Sequence, residues 1–95
     1  MPNKPAARTI RVDLQAPYEG FYAVIKVDFP ARVLLELQSG DFGRTMEAFS
    51  KLVIDHNLTD EFGNKATSFL DVYPVELANK VIDRWGDELG KLPPR

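Results

Sequence analysis

The chain predicts an α+β fold: an N-terminal antiparallel β-hairpin packed against three α-helices. Three observations carry that prediction. Apolar residues alternate with period two in two runs, residues 8–14 and 21–29. Helical spacing takes over from residue 31. The two patterns follow one another and do not interleave, which argues against a parallel doubly wound sheet. A length of 95 residues corresponds to one domain, expected over 8–92, between a flexible arm at 1–7 and a short tail at 93–95. Such a chain buries roughly 60–65% of the surface its unfolded form exposes, enough for a modest core.

The arm "MPNKPAA" has two prolines and little to bury. In "RTIRVDL", Ile10, Val12 and Leu14 alternate with Thr9, Arg11 and Asp13, which makes a strand with one wet face. "QAPYEG" is a turn bracketed by Pro17 and Gly20. "FYAVIKVDF" is the second strand. Phe21, Ala23, Ile25, Val27 and Phe29 share one face, while Tyr22, Val24, Lys26 and Asp28 share the other, which is half apolar. Pro30 suits a first helical turn, where its missing N–H is not needed. Val33, Leu34 and Leu37 form the stripe of the first helix, and "SGD" ends it. Asp41 caps a second helix, expected from Arg44 to about Asp55, with Met46, Phe49, Leu52, Val53 and His56 on its apolar side. Pro74 opens the third, whose broad apolar face carries Leu77, Ala78, Val81, Ile82, Trp85 and Leu89. The spacing of Trp85 from Ala78 and Val81 places it in the core.

Composition excludes several roles. The net charge of −2, with 27% charged residues, lacks the basic excess of a nucleic-acid binder. With no cysteine, neither a disulfide framework nor a thiolate metal site can form. No stretch approaches 18 apolar residues and no signal-peptide core opens the chain. The expectation is a soluble, cytoplasmic protein with no membrane partner.

The segment "HNLTDEFGNKATS", residues 56–68, holds the only histidine. An EF-hand loop starting at Asp55 would place glycine sixth and glutamate twelfth, but Asp60 and Ala66 stand there. A zinc site would need nitrogen or sulfur ligands that one histidine without cysteine cannot supply. His56 reads better as a half-buried histidine near a helix C-terminus, where the dipole favours its protonated form. No serine sits in a nucleophile elbow, and "SGDFGRT" lacks the Lys-Ser/Thr of a phosphate cradle. The expectation is no catalytic residue, no metal and no cofactor. "DEFGN" is turn chemistry, and its flanks make a tight β-turn or tiny hairpin between helices two and three.

One feature exceeds the needs of folding. Tyr22, Val24 and Leu35 lie off the main apolar stripes, and Phe42 and Phe62 sit in turns that do not require aromatic rings. They can fold back as satellite clusters, or they can form a contact surface for another chain. The second reading makes these five residues a protein-interaction surface, and the free edge of a two-stranded hairpin adds to it.

The segment order also resembles a known family. "FPARVLLELQSGD" precedes a helix running into "HNLTDEFG", and "LDVYPVELANKVIDRW" follows. This is similar to the small tail-assembly chaperones of long-tailed bacteriophages, over about Phe21 to Pro94. "HNLTDEFG" is the most distinctive part. The resemblance implies a non-enzymatic helper that binds the tape-measure or tail tube protein, aids tube assembly and self-associates. The family offers no catalytic residues to carry over. A structural tail or virion component, or a small regulatory protein-binding module, is the alternative.

Overall fold

The computed structural model describes residues 8–91. The expected arm at 1–7 and tail at 93–95 lie outside them, as does residue 92. The fold is α+β. Strands β1 (Thr9–Asp13), β2 (Tyr22–Lys26) and β3 (Val53–His56) form one antiparallel sheet in the order β1-β2-β3. Helices α1 (Ala31–Leu37), α2 (Phe42–Ser50) and α3 (Val75–Gly90) complete it, with a 3-10 turn at Phe69–Asp71.

The hairpin register pairs Thr9 with Lys26, Val12 with Ala23 and Asp13 with Tyr22. It follows the alternation in the sequence: Val12, Ala23, Ile25 and Val27 are buried, and Thr9, Arg11 and Asp13 are exposed. Arg8 pins the open end. Its Nη2 meets Asp28 Oδ1 at 3.1 Å, and its Nε and backbone N–H reach Oδ2 at 3.2 and 3.0 Å.

The second helix is shorter than its sequence suggests. It ends at Ser50, and the residues expected to continue it form β3. The reason is competition for the second edge of β2. Val53 and Ile54 are β-branched, and β2 has a row of N–H and C=O groups opposite its β1 side that need partners. Lys26 N–H donates to Leu52 O at 2.9 Å and Asn57 N–H to Tyr22 O at 3.3 Å. A bulge between Val24 and Ile25 takes up the irregular junction. The bulged strand therefore starts straight out of the helix. Leu52 N–H turns back to Phe49 O at 2.9 Å and is lost to the ladder. The Lys26 carbonyl is answered by the indole N–H of Trp85 at 3.1 Å.

The core lies between the inner face of the sheet and the helices. Phe49, Ile25, Leu58, Leu77, Val12 and Val81 are its largest fully buried side chains. Phe49 meets Phe69 and Trp85 edge-on, with ring centroids 4.9 and 5.2 Å apart, a favoured aromatic geometry. The expected face of α3 holds: Leu77, Ala78, Val81 and Trp85 are buried, with Ile82 and Leu89 half-buried beside them. In α1 the stripe is only partly realised. Val33 and Leu37 pack on the core, whereas Leu34 is exposed and no residue of the helix is fully buried. Among the described residues, no helix is long and apolar enough to cross a membrane.

Candidate protein-interaction surface

Tyr22 and Val24 occupy the outer face of the sheet, as their parity in β2 requires. Both are half-buried. Val24 lies between its register partners Arg11 and Asp55. The Arg11 guanidinium stands 4.2 Å from the centre of the Tyr22 ring, a cation–π contact. The Tyr22 hydroxyl donates to Asp55 Oδ2 at 3.3 Å, and Lys65 Nζ lies 3.9 Å from Asp55 Oδ1. This face is a mixed-charge lattice with two apolar side chains set into it.

Leu35 and Phe42 belong to the α1–α2 pair. Leu35 is 69% exposed and Phe42 58%. Phe42 is the first residue of α2 and continues its apolar stripe, at i, i+4 and i+7 with Met46 and Phe49. The stripe thus begins in the core at Phe49 and emerges into solvent at Phe42. The pair is held by local polar bonds. Asp41 Oδ1 accepts Arg44 N–H at 3.0 Å, the expected cap. Ser39 Oγ accepts Asp41 N–H at 3.2 Å, and Thr45 Oγ1 donates to Leu37 O at 3.4 Å. Leu34, which sequence spacing assigns to the core stripe, adds a third exposed apolar residue to the same pair.

Phe62 is 79% exposed at the tip of the expected tight turn. The turn is built without its ring. Asp60 Oδ1 accepts the N–H groups of Phe62 and Asn64 at 2.9 and 3.1 Å, and Gly63 takes φ +81°. A single bridge, Thr59 to Lys65, flanks it. The turn therefore connects β3 to α3, not two helices. Phe62 lines a shallow hollow of 220 Å³ with Asp60, Glu61, Asp71, Val72 and Tyr73. Tyr73 is also exposed, as are Ile54, Leu70 and Val75, none of which the stripes and turns of the sequence single out. Their exposure depends on how β3 and the 3-10 turn pack, which local spacing does not encode. The five predicted residues thus fall on three separate elements: the outer sheet face, the helical pair and the turn.

His56 ends β3 and not a helix, so no helix dipole acts on it there. Its Nδ1 accepts Leu58 N–H at 3.0 Å, which places the neutral imidazole's proton on Nε2. Burial holds its pKa below the ordinary value; the Lys65 ammonium pushes the same way and Asp55 opposes. This is opposite to the expected preference for the protonated form. The residue lines an open groove of 540 Å³ beside β3, with Ser50, Ile54, Lys65, Thr67 and Phe69 among the other walls. Among the described residues, no group of three or more histidines and carboxylates is placed to hold a metal ion. Asn57, next in sequence, has a role that spacing does not reveal. Its Oδ1 accepts Tyr22 N–H and its Nδ2 donates to Gly20 O, both at 2.7 Å, tying the hairpin turn to β3.

Comparison with protein-family models, with curated protein sequences and with solved structures finds no match to this chain.

Proposed function

We propose that this protein is a non-enzymatic assembly helper of the tail-chaperone kind, which holds an apolar helical segment of a tape-measure or tail tube protein against its α1–α2 pair. One observation carries the reading: α1 has no fully buried residue and exposes Leu34 and Leu35, beside an α2 stripe that runs out of the core at Phe42. A helix that buries so little of itself is stabilised weakly in isolation. A partner laid along its apolar residues supplies the missing burial, as in helix-in-groove recognition.

The energetics fit a transient helper. Completing the burial of three half-exposed side chains yields about 0.8–1.5 kcal/mol each, half of the full-burial value. That is about 2–4.5 kcal/mol in all, against an association cost of at least about 4 kcal/mol. One copy binds barely or not at all. Many copies along one long helical partner bind firmly through effective concentration and release one by one.

Co-expression with a helical tape-measure segment tests the reading. The wild-type chain keeps the segment in the supernatant and copurifies with it, whereas a Leu35→Glu, Phe42→Glu chain leaves it in the pellet. Both positions are exposed, so thermal unfolding of the doubly substituted chain stays close to wild type. Equal solubilisation by the two chains refutes the assignment of this surface. Stoichiometric retention in purified particles identifies a structural tail component instead.

A further inference from the structure

The two edges of the sheet are unequal. β3 is bulged against β2, and residues 65–69 run along the far wall of the groove beside it. Bulges and flanking segments are how sheets blunt an edge. β1 is regular across its whole length, with no register shift against β2. Leu14 N–H donates to Phe21 O at 3.0 Å and Val27 N–H to Arg8 O at 2.9 Å. In that register the even-numbered residues of β1 spend their backbone groups on β2, and those of Thr9, Arg11 and Asp13 point outward from the sheet. Among the described residues, nothing pairs with that edge.

We infer that the occupant of this edge is a second copy of the chain, added antiparallel to β1 about a twofold axis at Val12. Charge selects both the partner and the register. An antiparallel join through outward-facing groups must pair odd residues with odd residues. Centring it on Arg11 sets arginine against arginine, and centring it on Asp13 sets aspartate against aspartate. Both oppose like charges. Centring it on Val12 sets Arg11 of each copy opposite Asp13 of the other, with Val12 facing Val12 and Ile10 facing Leu14 on the inner side. Within one chain Arg11 Nε already lies 3.1 Å from Asp13 Oδ1, and both side chains are more than half exposed. The twofold join closes these two pairs into a square of alternating sign, and the odd residues exchange backbone N–H···O bonds. The interface is isologous, the commonest form of protein self-association, and turns two three-stranded sheets into one continuous sheet. Val12 and Leu14 are already buried in the single chain, so the join rests on backbone bonds and charge and is weak. It depends on β1 alone and stands whether or not α1–α2 binds a tape-measure segment.

Sedimentation equilibrium of the full chain tests it. The wild-type chain shows a monomer–dimer equilibrium within concentrations up to about 1 mM, the affinity range of small interfaces. Arg11→Asp alone sets carboxylate against carboxylate across the join, Asp13→Arg alone sets guanidinium against guanidinium, and each weakens the dimer at least about ten-fold. Mixing these two singly substituted chains restores association as a heterodimer, because every opposing pair is again of unlike sign. Repair of a bond inside one chain cannot produce that result. Arg11→Pro removes an outward donor, leaves the bonds to β2 intact and abolishes the dimer. Far-UV circular dichroism confirms that each chain is folded. A wild-type chain that stays monomeric to about 1 mM shows that α3, which packs beneath β1, holds a second sheet off, and overturns the inference. So does a mixture that associates no better than its components.

Discussion

Trp85 is the decisive side chain for the join between helix and sheet, and its removal has a calculable effect. Leu52 N–H, which would answer Lys26 O in a regular ladder, is spent on Phe49 O. The indole Nε1–H of Trp85 takes its place at 3.1 Å. Trp85→Phe removes that bond, with a net worth of about 0.5–1.5 kcal/mol, and strands a half-buried carbonyl, for a total of about 1–3 kcal/mol. The smaller ring surrenders part of its packing on Phe29 and Phe49, whose centroids lie 6.0 and 5.2 Å away, costing about 1 kcal/mol more. The expected loss is about 2–4 kcal/mol. With a urea slope of about 1 kcal/mol per molar for a chain this small, the midpoint falls by roughly 2 M or more. Circular dichroism is the probe, because the variant lacks the only tryptophan. Replacing Trp85 by its benzothienyl isostere keeps the shape and removes only the N–H, and isolates about 1–3 kcal/mol of the loss. An isostere as stable as wild type to within about 0.5 kcal/mol would refute the claim that the carbonyl depends on this donor.

Two further outcomes are expected. Asn57→Ala removes the acceptor for Tyr22 N–H and the donor to Gly20 O, costing about 1–2 kcal/mol and speeding hydrogen exchange at Tyr22; unchanged exchange there contradicts the assigned tie. His56 has a folded pKa below its unfolded one, for burial first and Lys65 second, and protonation at Nδ1 also removes the acceptor of Leu58 N–H. The unfolded chain therefore takes up the proton first. This contribution to stability is whole above about pH 6.5 and is lost as pH falls from there through the folded pKa. The stability difference between wild type and His56→Gln shrinks over that window, and an imidazole titrating at or above about 6.5 by NMR contradicts the sign.

The hairpin was legible because strand parity is a local property: once Val12, Ala23 and Ile25 share a face, Arg11, Tyr22 and Val24 must take the other. The inner stripe of α3 was legible for the same reason, as was the Asp41 cap. The 52–56 segment was not. Leu52, Val53 and His56 match a helical face as well as a strand, and short apolar runs do not distinguish the two by spacing. What tipped the balance was the unpaired side of β2, a demand that arises only once the hairpin exists. The candidate surface divides along the same line. Leu35 is exposed, as its position off the stripe suggested, and Phe42, expected in a turn, is exposed at the start of the α2 stripe. Tyr22 is half-covered by Arg11 and tied to Asp55, a residue distant in sequence that β3 brings beside it.

By itself the sequence determined the class of fold, the composition of the core faces, and a surplus of apolar side chains beyond what those faces use. Each follows from periodicity and residue type within a few turns of chain. Only the tertiary structure decided that, among the described residues, the sheet has three strands, that the His56 imidazole accepts a backbone N–H, and that nothing pairs with the outer edge of β1, where Arg11 and Asp13 stand. The third strand is settled by hydrogen-bonding groups of β2 seeking partners far along the chain, and which partner they find depends on the hairpin having folded first.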